Sequence, residues 1–509
     1  MLKLPTALMV GKKKDSEEEW EEPLSPATRL FHQPNFNCFI VVMLGVGKKI
    51  DVDIVEAGFE SSIIRHPRFS SLQLLSPEGR TKAPKWVKTS VVVRNHFVVP
   101  DLTTDNVPQL DPDRLVEDYI SQLSTTTLDF SKPLWDLHIL NIRTSEAEAV
   151  AVLRCHHSLG DGLSLMSLLL ACFRTTSDPT ALPTIPTKSK NNHQKKTASV
   201  GARFGASVVR LFTMVGVLWN TLVDVFWFIA TMLGFKDTET PIKGRKGVEL
   251  NKKRFVHRTL ILDDIGCVKS AMKASVNDVL LGITTAGLTR YLRRRYRDDN
   301  QNLPSNIRLR SVVLVNQRKA PEIHALADMM EEGGGGEMSK KKMRKNVQFG
   351  NRIGYVILPI EIVERENPLD YVKRGTAIAN RKKSSWEALF TFISAKLAVK
   401  LLGTKIASFI SHKTLSNTTL SFSNIIGPVE EVGFSNHPLT YIAPSVYGHP
   451  HALTLHFNSY MGKMKMVVAV DETIIPDPHR LCTDLAGCLV EMKDAAIRMS
   501  EKETSAQEI

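Results

Sequence analysis

Hydrophobic residues along the chain recur with two periods, one typical of strands and one typical of helices. Apolar runs and alternating patterns predict strands at 36–44, 86–99, 135–142, 149–155, 255–263, 312–315, 355–362, 420–426, 452–460 and 464–470. Apolar positions three and four residues apart predict helices at 52–65, 113–123, 163–170, 277–297, 370–383, 390–402 and 477–500. This mixture predicts an α/β protein in which helices cover two sheets.

Charge and hydrophobicity divide the chain into segments of different character. Residues 1–22 are highly charged and are expected to be disordered. Residues 23–175 are expected to form a first lobe, and residues 176–254 a linker that contains a basic stretch. Residues 255–500 are expected to form a second lobe, followed by a tail at 501–509. Two lobes also suit a length of 509 residues, which is too long for one ordinary hydrophobic core.

Composition and net charge narrow the range of partners. With 43% hydrophobic and 23% charged residues, the chain is expected to be globular rather than disordered. The formal net charge of +13 suits either nucleic acid or an anionic membrane surface. Aromatic residues make up only 7% and no nucleic-acid-binding signature occurs, so we expect a membrane surface and a phosphate-bearing cofactor, and no nucleic acid. The six cysteines lack the spacing of metal ligands, which predicts free thiols and no metal site.

The candidate chemistry is concentrated in residues 155–162, whose sequence is CHHSLGDG. This stretch follows an apolar run and precedes residues with helical spacing, so it is expected to form a turn between a buried strand and a helix. Such a turn presents polar side chains to a cavity. His157 can titrate near neutral pH, and Asp161 supplies a fixed anion that can hold the loop by pairing with a distant arginine. Gly162 leaves room beside the turn for a ligand.

As an HHxxxDG motif, this stretch resembles the acyl-CoA-dependent acyltransferases that use a single histidine as general base. Further motifs follow the order PLWD, NDVL, NRIGY and SNIIGP, at 133–136, 277–280, 351–355 and 423–428. In this order and spacing the chain is similar to the plant branch of the bifunctional wax ester synthase/diacylglycerol acyltransferases, over about residues 23–499. The resemblance implies a two-lobed α/β fold of the chloramphenicol acetyltransferase type, the CoA-dependent acyltransferase fold, with an active-site tunnel between the lobes.

The resemblance also assigns roles to the residues of the HHxxxDG turn. His157, the second histidine, would be the general base, and His156 would contribute to the catalytic turn by shaping the loop beside it. Asp161 would turn away from the base and pair with an arginine of the other lobe, for which Arg318 is the best-placed candidate. An alternative is that Asp161 polarises His157, as the aspartate does in a catalytic triad. In the arrangement that the resemblance implies, Gly162 and Arg318 support the loop.

Residues outside the turn are candidates for substrate positioning. Asn277 and Asp278 would position the substrate, but they are equally typical of a helix start. Trp135 either lines the acyl tunnel or lies in the core of the first lobe. Ser423 and Asn424 are candidates for hydrogen-bond donors to the oxyanion of the tetrahedral intermediate.

The linker contains an apolar segment, residues 211–235, in which Asp224 is the only charged residue. As a helix this segment would be about 37 Å long, which is enough to span a bilayer. A span would separate two lobes that the resemblance requires to build one active site, and Asp224 would cost a few kcal/mol in lipid. Both flanks are basic, so we predict that the segment lies in the membrane interface or forms a shallow hairpin. The alternative is a helix buried between the lobes.

The implied activity is O-acyl transfer. The resemblance implies that a long acyl chain moves from acyl-CoA, the co-substrate, to a long-chain alcohol or to diacylglycerol, without a bound cofactor or metal. The expected location is the cytoplasmic face of the endoplasmic reticulum membrane, with the plasma membrane as a second site. Two alternatives stay open: a CoA-dependent acyltransferase for a small alcohol or amine, and a non-catalytic lipid-binding protein. The DFGWG pattern of the soluble plant BAHD acyltransferases is absent from the sequence, which argues against that class.

Overall fold

The computed structural model describes residues 21–75, 84–102, 111–186, 200–317, 323–331 and 349–507. The strands are β1 (Glu21–Pro23), β2 (Phe39–Val46), β3 (Ser71–Leu74), β4 (Lys85–Lys88), β5 (Phe97–Val98), β6 (Trp135–Leu140), β7 (Ala149–His156), β8 (Arg174–Thr175), β9 (Lys253–Ile261), β10 (Arg308–Asn316), β11 (Ile353–Glu361), β12 (Leu420–Ile426), β13 (Val432–Phe434), β14 (His437–Tyr447), β15 (Leu453–Tyr460) and β16 (Lys463–Asp471). The helices are α1 (Pro26–Leu30), α2 (Val52–Ser61), α3 (Pro112–Leu123), α4 (Gly162–Cys172), α5 (Val200–Leu233), α6 (Leu262–Ala271), α7 (Val276–Asp298), α8 (Ile323–Glu331), α9 (Leu369–Lys383), α10 (Glu387–Ser416) and α11 (Pro478–Gln507). This architecture confirms the predicted α/β class.

The first lobe is built on a seven-stranded sheet in the order β5–β6–β7–β2–β14–β13–β8. β7 lies between β6 and β2 and is antiparallel to both, with Cys155 opposite Trp135 and His156 opposite Phe39. All eight residues of β7 are buried, because helices cover one face of the sheet and the second lobe covers the other. This central position makes the end of β7 a rigid support for the turn that follows it.

Two strands of the first sheet come from the second half of the chain. β14 pairs with β2, and β13 pairs with both β14 and β8. A division into lobes at 23–175 and 255–500 therefore places in the second lobe two strands that complete the sheet of the first lobe. The hydrophobic pattern does not predict β14, because Pro438 and Pro444 interrupt it.

The second lobe is built on a six-stranded sheet in the order β11–β10–β12–β15–β16–β9. Helices α6, α7, α9 and α11 pack together on one face, where their apolar side chains form a core with β12, β15 and β16. The opposite face meets the first lobe, with Phe255, Val467 and Ala469 in one cluster with residues of β2 and β14. Phe39, which lies opposite the last residue of β7, belongs to the same cluster, so the end of β7 lies beside the contact between the lobes.

The predictions for the two chain ends are revised in part. Glu21 and Glu22, which the charge pattern assigned to a disordered segment, form β1 by pairing with β4. Glu22 also forms an ion pair with Arg68 at 3.1 Å, which explains why a charged residue is held there. Residues 1–20 lie outside the described part of the chain. The predicted C-terminal tail is largely helical, because α11 continues to Gln507.

Helix α5 lies along the second lobe with one face buried. Asp224 and Phe228, one turn apart, are buried, and Asp224 forms ion pairs with Arg381 and Lys382, both at 2.8 Å. Within Val209–Leu233, most of the other apolar side chains are exposed, so the alternative of a helix buried between the lobes is wrong. The part Val209–Leu233 has a mean hydropathy of 1.6 and is, by length and composition, long and apolar enough to cross a membrane.

Candidate active site

The turn after β7 places His157 at the boundary between the lobes. Its backbone N–H donates a hydrogen bond to the carbonyl of Cys38 at 2.9 Å, and its own carbonyl accepts one from Nδ2 of Asn351 at 2.8 Å. Cys38 precedes β2 in the first lobe, whereas Asn351 precedes β11 in the second. The backbone of His157 is therefore held from both lobes, and only 6% of the residue surface is exposed.

The imidazole of His157 is buried against an aromatic ring. Its ring stacks on that of Phe31 with the centroids 4.2 Å apart, and its Nδ1 is buried without a hydrogen-bond partner among the described residues. Burial disfavours the imidazolium and lowers the pKa of His157, against opposing effects of its own carbonyl, the Asp161 carboxylate and the Asn351 side chain. The neutral imidazole, which can accept a proton, is therefore the prevailing form at neutral pH.

Phe31 is a residue of this site that the sequence pattern does not reveal. It directly follows α1, whose N-cap residue Ser25 accepts a hydrogen bond from the backbone N–H of Thr28. The hydroxyl of Thr28 donates to the carbonyl of Ser158 on the HHxxxDG turn at 3.5 Å, which brings α1 against the turn. A single aromatic residue far from the motif carries no local signal of this contact, because the stacking on His157 depends on how α1 packs.

His156 has a different environment from that of its neighbour His157. Its Nδ1 lies 2.6 Å from Oγ of Ser158, and its Nε2 lies 2.9 Å from Oδ1 of Asn37. Both ring nitrogens are therefore engaged in hydrogen bonds, and the residue is fully buried. Burial, together with the charges of His32 and His157, lowers the pKa of His156 well below its ordinary value. This environment favours loop shaping over proton transfer for His156.

Asp161 links helix α4 to the second lobe. Its Oδ1 accepts a hydrogen bond from the backbone N–H of Ser164 at 3.0 Å, which caps the N-terminus of α4. Its Oδ2 accepts from the backbone N–H of Arg352 at 3.1 Å and from Nδ2 of Asn316 at 3.4 Å, both in the second lobe. Both oxygens are directed at these donors, so the geometry favours a locking role over the alternative in which Asp161 polarises His157.

Gly162 and Arg318 were the predicted supports of the turn. Gly162 is the first residue of α4, and a Cβ atom there would lie 3.1 Å from Cδ1 of Ile425 in β12. The missing side chain therefore lets the second lobe approach the turn closely. Arg318 lies outside the described residues, so its pairing with Asp161 stays a prediction.

The second lobe brings the Asn-Asp and Ser-Asn motifs together. Nδ2 of Asn424 donates to Oδ1 of Asn277 at 2.7 Å, across the contact between β12 and α7. The Asp278 carboxylate accepts from the backbone N–H of Ser275, and Oγ of Ser275 accepts from the backbone N–H of Asp278. This reciprocal pair is a capping box, so Asp278 stabilises the start of α7, which was the structural alternative for that residue.

Ser423 lies on the opposite face of β12 from Asn424 and is in register with His456 of β15. Residues in register share a face of the sheet, and Nδ1 of His456 lies 3.5 Å from Oγ of Ser445 in the first sheet. Burial and the charge of His157 lower the pKa of His456 to about 4. This polar pair thus faces the lobe boundary, and the polar–apolar alternation in β15 is the sequence signal by which His456 can be found.

Trp135 lies in the core of the first lobe. Its Nε1 donates to the carbonyl of Phe69 at 3.0 Å, and its ring stacks on those of His96 and Phe59, with centroids 4.2 and 5.5 Å away. Phe59 lines an apolar cavity between the first sheet and helices α2 and α4, whereas Trp135 is not among the residues that line it. The geometry therefore favours the core alternative for Trp135. Among the described residues, no group of His, Cys, Asp and Glu is arranged to hold a metal ion.

Two family models match the chain. The wax ester synthase/diacylglycerol acyltransferase catalytic domain matches residues 51–280, and the WS/DGAT C-terminal domain matches residues 349–493. Wax ester synthase/diacylglycerol acyltransferase 6 of Arabidopsis thaliana is 46% identical over 508 residues, covering 95% of this chain and 95% of that protein. The two matched segments contain the HHxxxDG, NDVL, NRIGY and SNIIGP motifs.

Solved structures with low sequence identity share the fold. The wax ester synthase/diacylglycerol acyltransferase from Marinobacter aquaeolei VT8 superposes with a TM-score of 0.56 at 16% identity, covering 93% of this chain and 99% of that one. The trichothecene 15-O-acetyltransferase from Fusarium sporotrichioides superposes with a TM-score of 0.53 at 11% identity, covering 94% and 97%. These matches confirm the predicted acyltransferase fold. Given a relative that is 46% identical over nearly the whole length, this chain belongs to the wax ester synthase/diacylglycerol acyltransferase family.

Proposed function

We propose that this protein transfers a long-chain acyl group from acyl-CoA to the hydroxyl of a long-chain alcohol or of diacylglycerol, with His157 as the general base. Family membership supports O-acyl transfer to one of these acceptors. The observation that carries the choice of base is the environment of His157. Its imidazole is buried, which lowers its pKa and favours the neutral form, and its backbone is held between the lobes by Cys38 and Asn351.

The proton moves through the imidazole of His157. A ring nitrogen takes the proton from the acceptor hydroxyl while the hydroxyl oxygen attacks the carbonyl carbon of the thioester. The tetrahedral intermediate then collapses, the bond between carbon and sulfur breaks, and the imidazolium returns the proton to the sulfur of CoA. The products are the ester and free CoA, and the imidazole is neutral again.

We assign the stabilisation of the oxyanion of the intermediate to the hydroxyl of Ser423. Its hydroxyl shares a sheet face with His456, and that face is directed at the first lobe beside the turn of His157. A hydroxyl donor in a site of low dielectric stabilises a developing oxyanion more strongly than it would in water. Asn424 is directed at Asn277 of α7 instead, so in this proposal it supports the strand that carries Ser423.

The test is an assay of the purified full chain with palmitoyl-CoA, in which hexadecanol and dioleoylglycerol are offered in parallel. We expect ester formation that falls about 1,000-fold in His157→Ala, because the proton acceptor is lost. The matched control is His479→Ala, which removes an exposed histidine that pairs with the mostly buried Glu117, and this variant should keep its rate. The ratio of the two products measures the preference between alcohol and diacylglycerol.

Two results would contradict the proposal. Equal activity of His157→Ala and the wild type would refute the assignment of the base. No ester from either acceptor, by a folded protein that still binds acyl-CoA, would favour the small-acceptor enzyme or the lipid-binding protein.

We also propose that the protein works at a membrane surface, on the cytoplasmic face of the endoplasmic reticulum, with the plasma membrane as a second site. The exposed apolar side of α5 supports membrane contact, and Arg210 and Lys236 place positive charge at the two ends of the apolar segment 211–235. Asp224 and Phe228 attach the helix along the second lobe, and a bilayer span would require it to leave that lobe. We therefore propose that α5 lies in the interface.

Membrane association and location have separate tests. Phe212→Ser combined with Trp219→Ser, on the exposed side of α5, should weaken the binding of the full chain to vesicles. In a scan with engineered glycosylation acceptor sites, we expect no modification on either side of α5. Modification of sites downstream of α5 alone would refute the interfacial arrangement. Cell fractionation that places the chain away from both membranes would contradict the location.

A further inference from the structure

Helix α10 exposes a stripe of large apolar side chains that no described part of the chain covers. Leu389, Ile393, Leu397 and Leu401 are four residues apart and so lie on one face of the helix, and each is between 45% and 68% exposed. The hydroxyl of Thr391, on another side of the helix, exchanges hydrogen bonds with β11. Contiguous exposed apolar residues of this kind mark an interaction surface, whereas isolated ones need no explanation.

A break in α10 carries the apolar surface onward in a new direction. Gly403 has φ 81° and ψ 167° within an otherwise helical segment. The positive φ favours glycine, and a Cβ atom there would meet nothing within 4 Å, so the requirement is the backbone conformation and not close packing. Beyond the break, Ile406 and Phe409 are also exposed. The apolar surface therefore covers most of the length of α10.

The exposed charged side chains that α10 itself contributes have one sign. After Glu387, α10 contains no Asp or Glu, and Glu387 itself is buried and pairs with Lys382 at 2.7 Å. Lys396 and Lys400 are exposed, each one position before a leucine of the stripe. Basic side chains beside an apolar stripe complement a layer of anionic lipid headgroups.

The exposed stripe of α10 adjoins the exposed side of α5. At the junction, the backbone N–H of Trp386 donates to Oγ1 of Thr221 at 3.0 Å, and the ring of Phe390 packs edge-on against that of Phe228 at 5.7 Å. Trp386 and Leu222 are both exposed at this junction. Exposed apolar side chains therefore continue from one helix to the other.

α10 also packs against the segment that carries Phe31. Leu30 forms a small apolar cluster with Val399 and Ala407 of α10. Leu30 directly precedes Phe31, whose ring stacks on that of His157. The outer face of α10 is therefore separated from the general base by little more than α1 and Phe31. An acceptor that resides in a bilayer would be close to the base if the bilayer lay against this face.

We propose that the outer face of α10 is a second membrane-docking surface, for a bilayer that contains anionic lipids. The apolar stripe, Ile406 and Phe409 enter the boundary between headgroups and acyl chains, while Lys396 and Lys400 contact anionic headgroups. This proposal rests on the membrane association of the proposed function. It adds α10, which the sequence predicts only as a helix, to the membrane-contacting surface. In this orientation the boundary between the lobes faces the lipid.

The experiment is flotation of the full chain with phosphatidylcholine vesicles, with and without phosphatidylserine. We expect the triple variant Ile393→Ser, Leu397→Ser, Leu401→Ser to bind vesicles about tenfold or more weakly, because its inserted apolar surface is lost. The matched control, Val490→Ser with Ile497→Ser, removes exposed apolar residues of α11 and should bind like the wild type. Lys396→Gln with Lys400→Gln should lose the gain that phosphatidylserine provides while keeping the binding to phosphatidylcholine.

Vesicle binding is measured without acyl-CoA, so it does not depend on acyl transfer, and His157→Ala should bind like the wild type. Wild-type binding by the triple variant would overturn the proposal, even where the α5 variant shows that the chain associates with membranes. Sedimentation velocity tests a different occupant of this face. A dimeric wild type and a monomeric triple variant with unchanged vesicle binding would mean that a second copy of the chain covers α10, and the proposal would be wrong.

Discussion

The turn at His157 and the surface formed by α5 and α10 each depend on a buried carboxylate, with opposite results. Asp161 accepts hydrogen bonds from α4 and from the second lobe, so it joins two parts of the molecule around a reactive group. Asp224 pairs with Arg381 and Lys382 beneath α5, which removes the only acid of that helix from its outward side. The partners of each carboxylate decide its role. Backbone donors let Asp161 hold a loop conformation, whereas cations from the second lobe keep the carboxylate of Asp224 away from the exposed apolar surface.

The largest change in stability is expected at the buried carboxylate beneath α5. Asp224→Asn should lower the free energy of unfolding by about 2 kcal/mol, because Arg381 loses its partner while Lys382 keeps Glu387. Chemical denaturation measures this change. Asp53→Asn, which affects an exposed ion pair, is the matched control and should cost less than about 0.5 kcal/mol. Equal costs for the two variants would mean that the buried pairs do not hold α5.

The stability that Asp224 contributes should depend on pH in a defined direction. Burial opposes ionisation of this carboxyl, but the hydrogen bonds and charge of Lys382, together with Ser385 and Arg381, hold its pKa below the ordinary value of 3.8. A lowered pKa means that the contribution is complete above the ordinary value and is lost as pH falls through the folded-state pKa. The difference between wild type and Asp224→Asn should therefore be constant near neutral pH and shrink below about pH 4. A difference that persists in strong acid would contradict the ion-pair explanation.

A smaller effect on stability, together with an effect on activity, is expected at the turn. Asp161→Asn keeps the cap of α4 but weakens the contacts to Arg352 and Asn316, so it should cost about 1 kcal/mol and lower kcat about tenfold through misplacement of the base. Thermal unfolding and single-turnover kinetics measure the two changes. Asp51→Asn, at the exposed cap of α2, should leave both unchanged. A wild-type melting temperature and rate for Asp161→Asn would refute the locking role.

The smallest effect is expected from Phe31, which sharpens the picture of the turn as a buried site. Burial lowers the pKa of His157, so the acid limb of the pH profile of kcat/KM should lie below pH 6.5 in the wild type. Phe31→Ala admits water to the imidazole and should raise the midpoint pH of that acid limb by less than about one pH unit. Phe130→Ala, which removes a ring near His156, should leave the limb unchanged. A limb that stays in place in Phe31→Ala would mean that the stacked ring does not control hydration of the base.

The fold could be predicted from the sequence wherever local periodicity is strong. The apolar run of β7 and the helical spacing of α7 occur where they were predicted. The predicted strand at 86–99 is instead divided into β4 and β5 by a short helical turn over Val93–His96. β14 was not predicted, because strand signals weaken at prolines and its stability comes from pairing with β2, far away in the chain. The helix predicted at 390–402 ends where Gly403 breaks α10, and a second helical segment, which was not predicted, continues from there to Ser416.

The candidate site, too, could be predicted from the sequence only in part. The motif places His157 on a turn after a buried strand and Asp278 at a helix start, and the structure has both residues in those positions. The sequence does not distinguish the environments of His156 and His157, which are adjacent in the chain and differ only in their partners. Trp135 illustrates the same limit, because its motif marks the position and only its packing on His96 and Phe59 reveals a core role.

The order of most strands and helices, the turn that carries His157 and the apolar character of α5 follow from local sequence, because they depend on residues that are close along the chain. The packing of distant segments brings Asn351, 194 residues away, to the backbone of His157 and places Phe31 over its ring. It also decided that Asp224 faces the protein, so that α5 and α10 expose adjoining apolar sides. These arrangements depend on which distant surfaces pack together, and the local period of hydrophobic residues does not encode that choice.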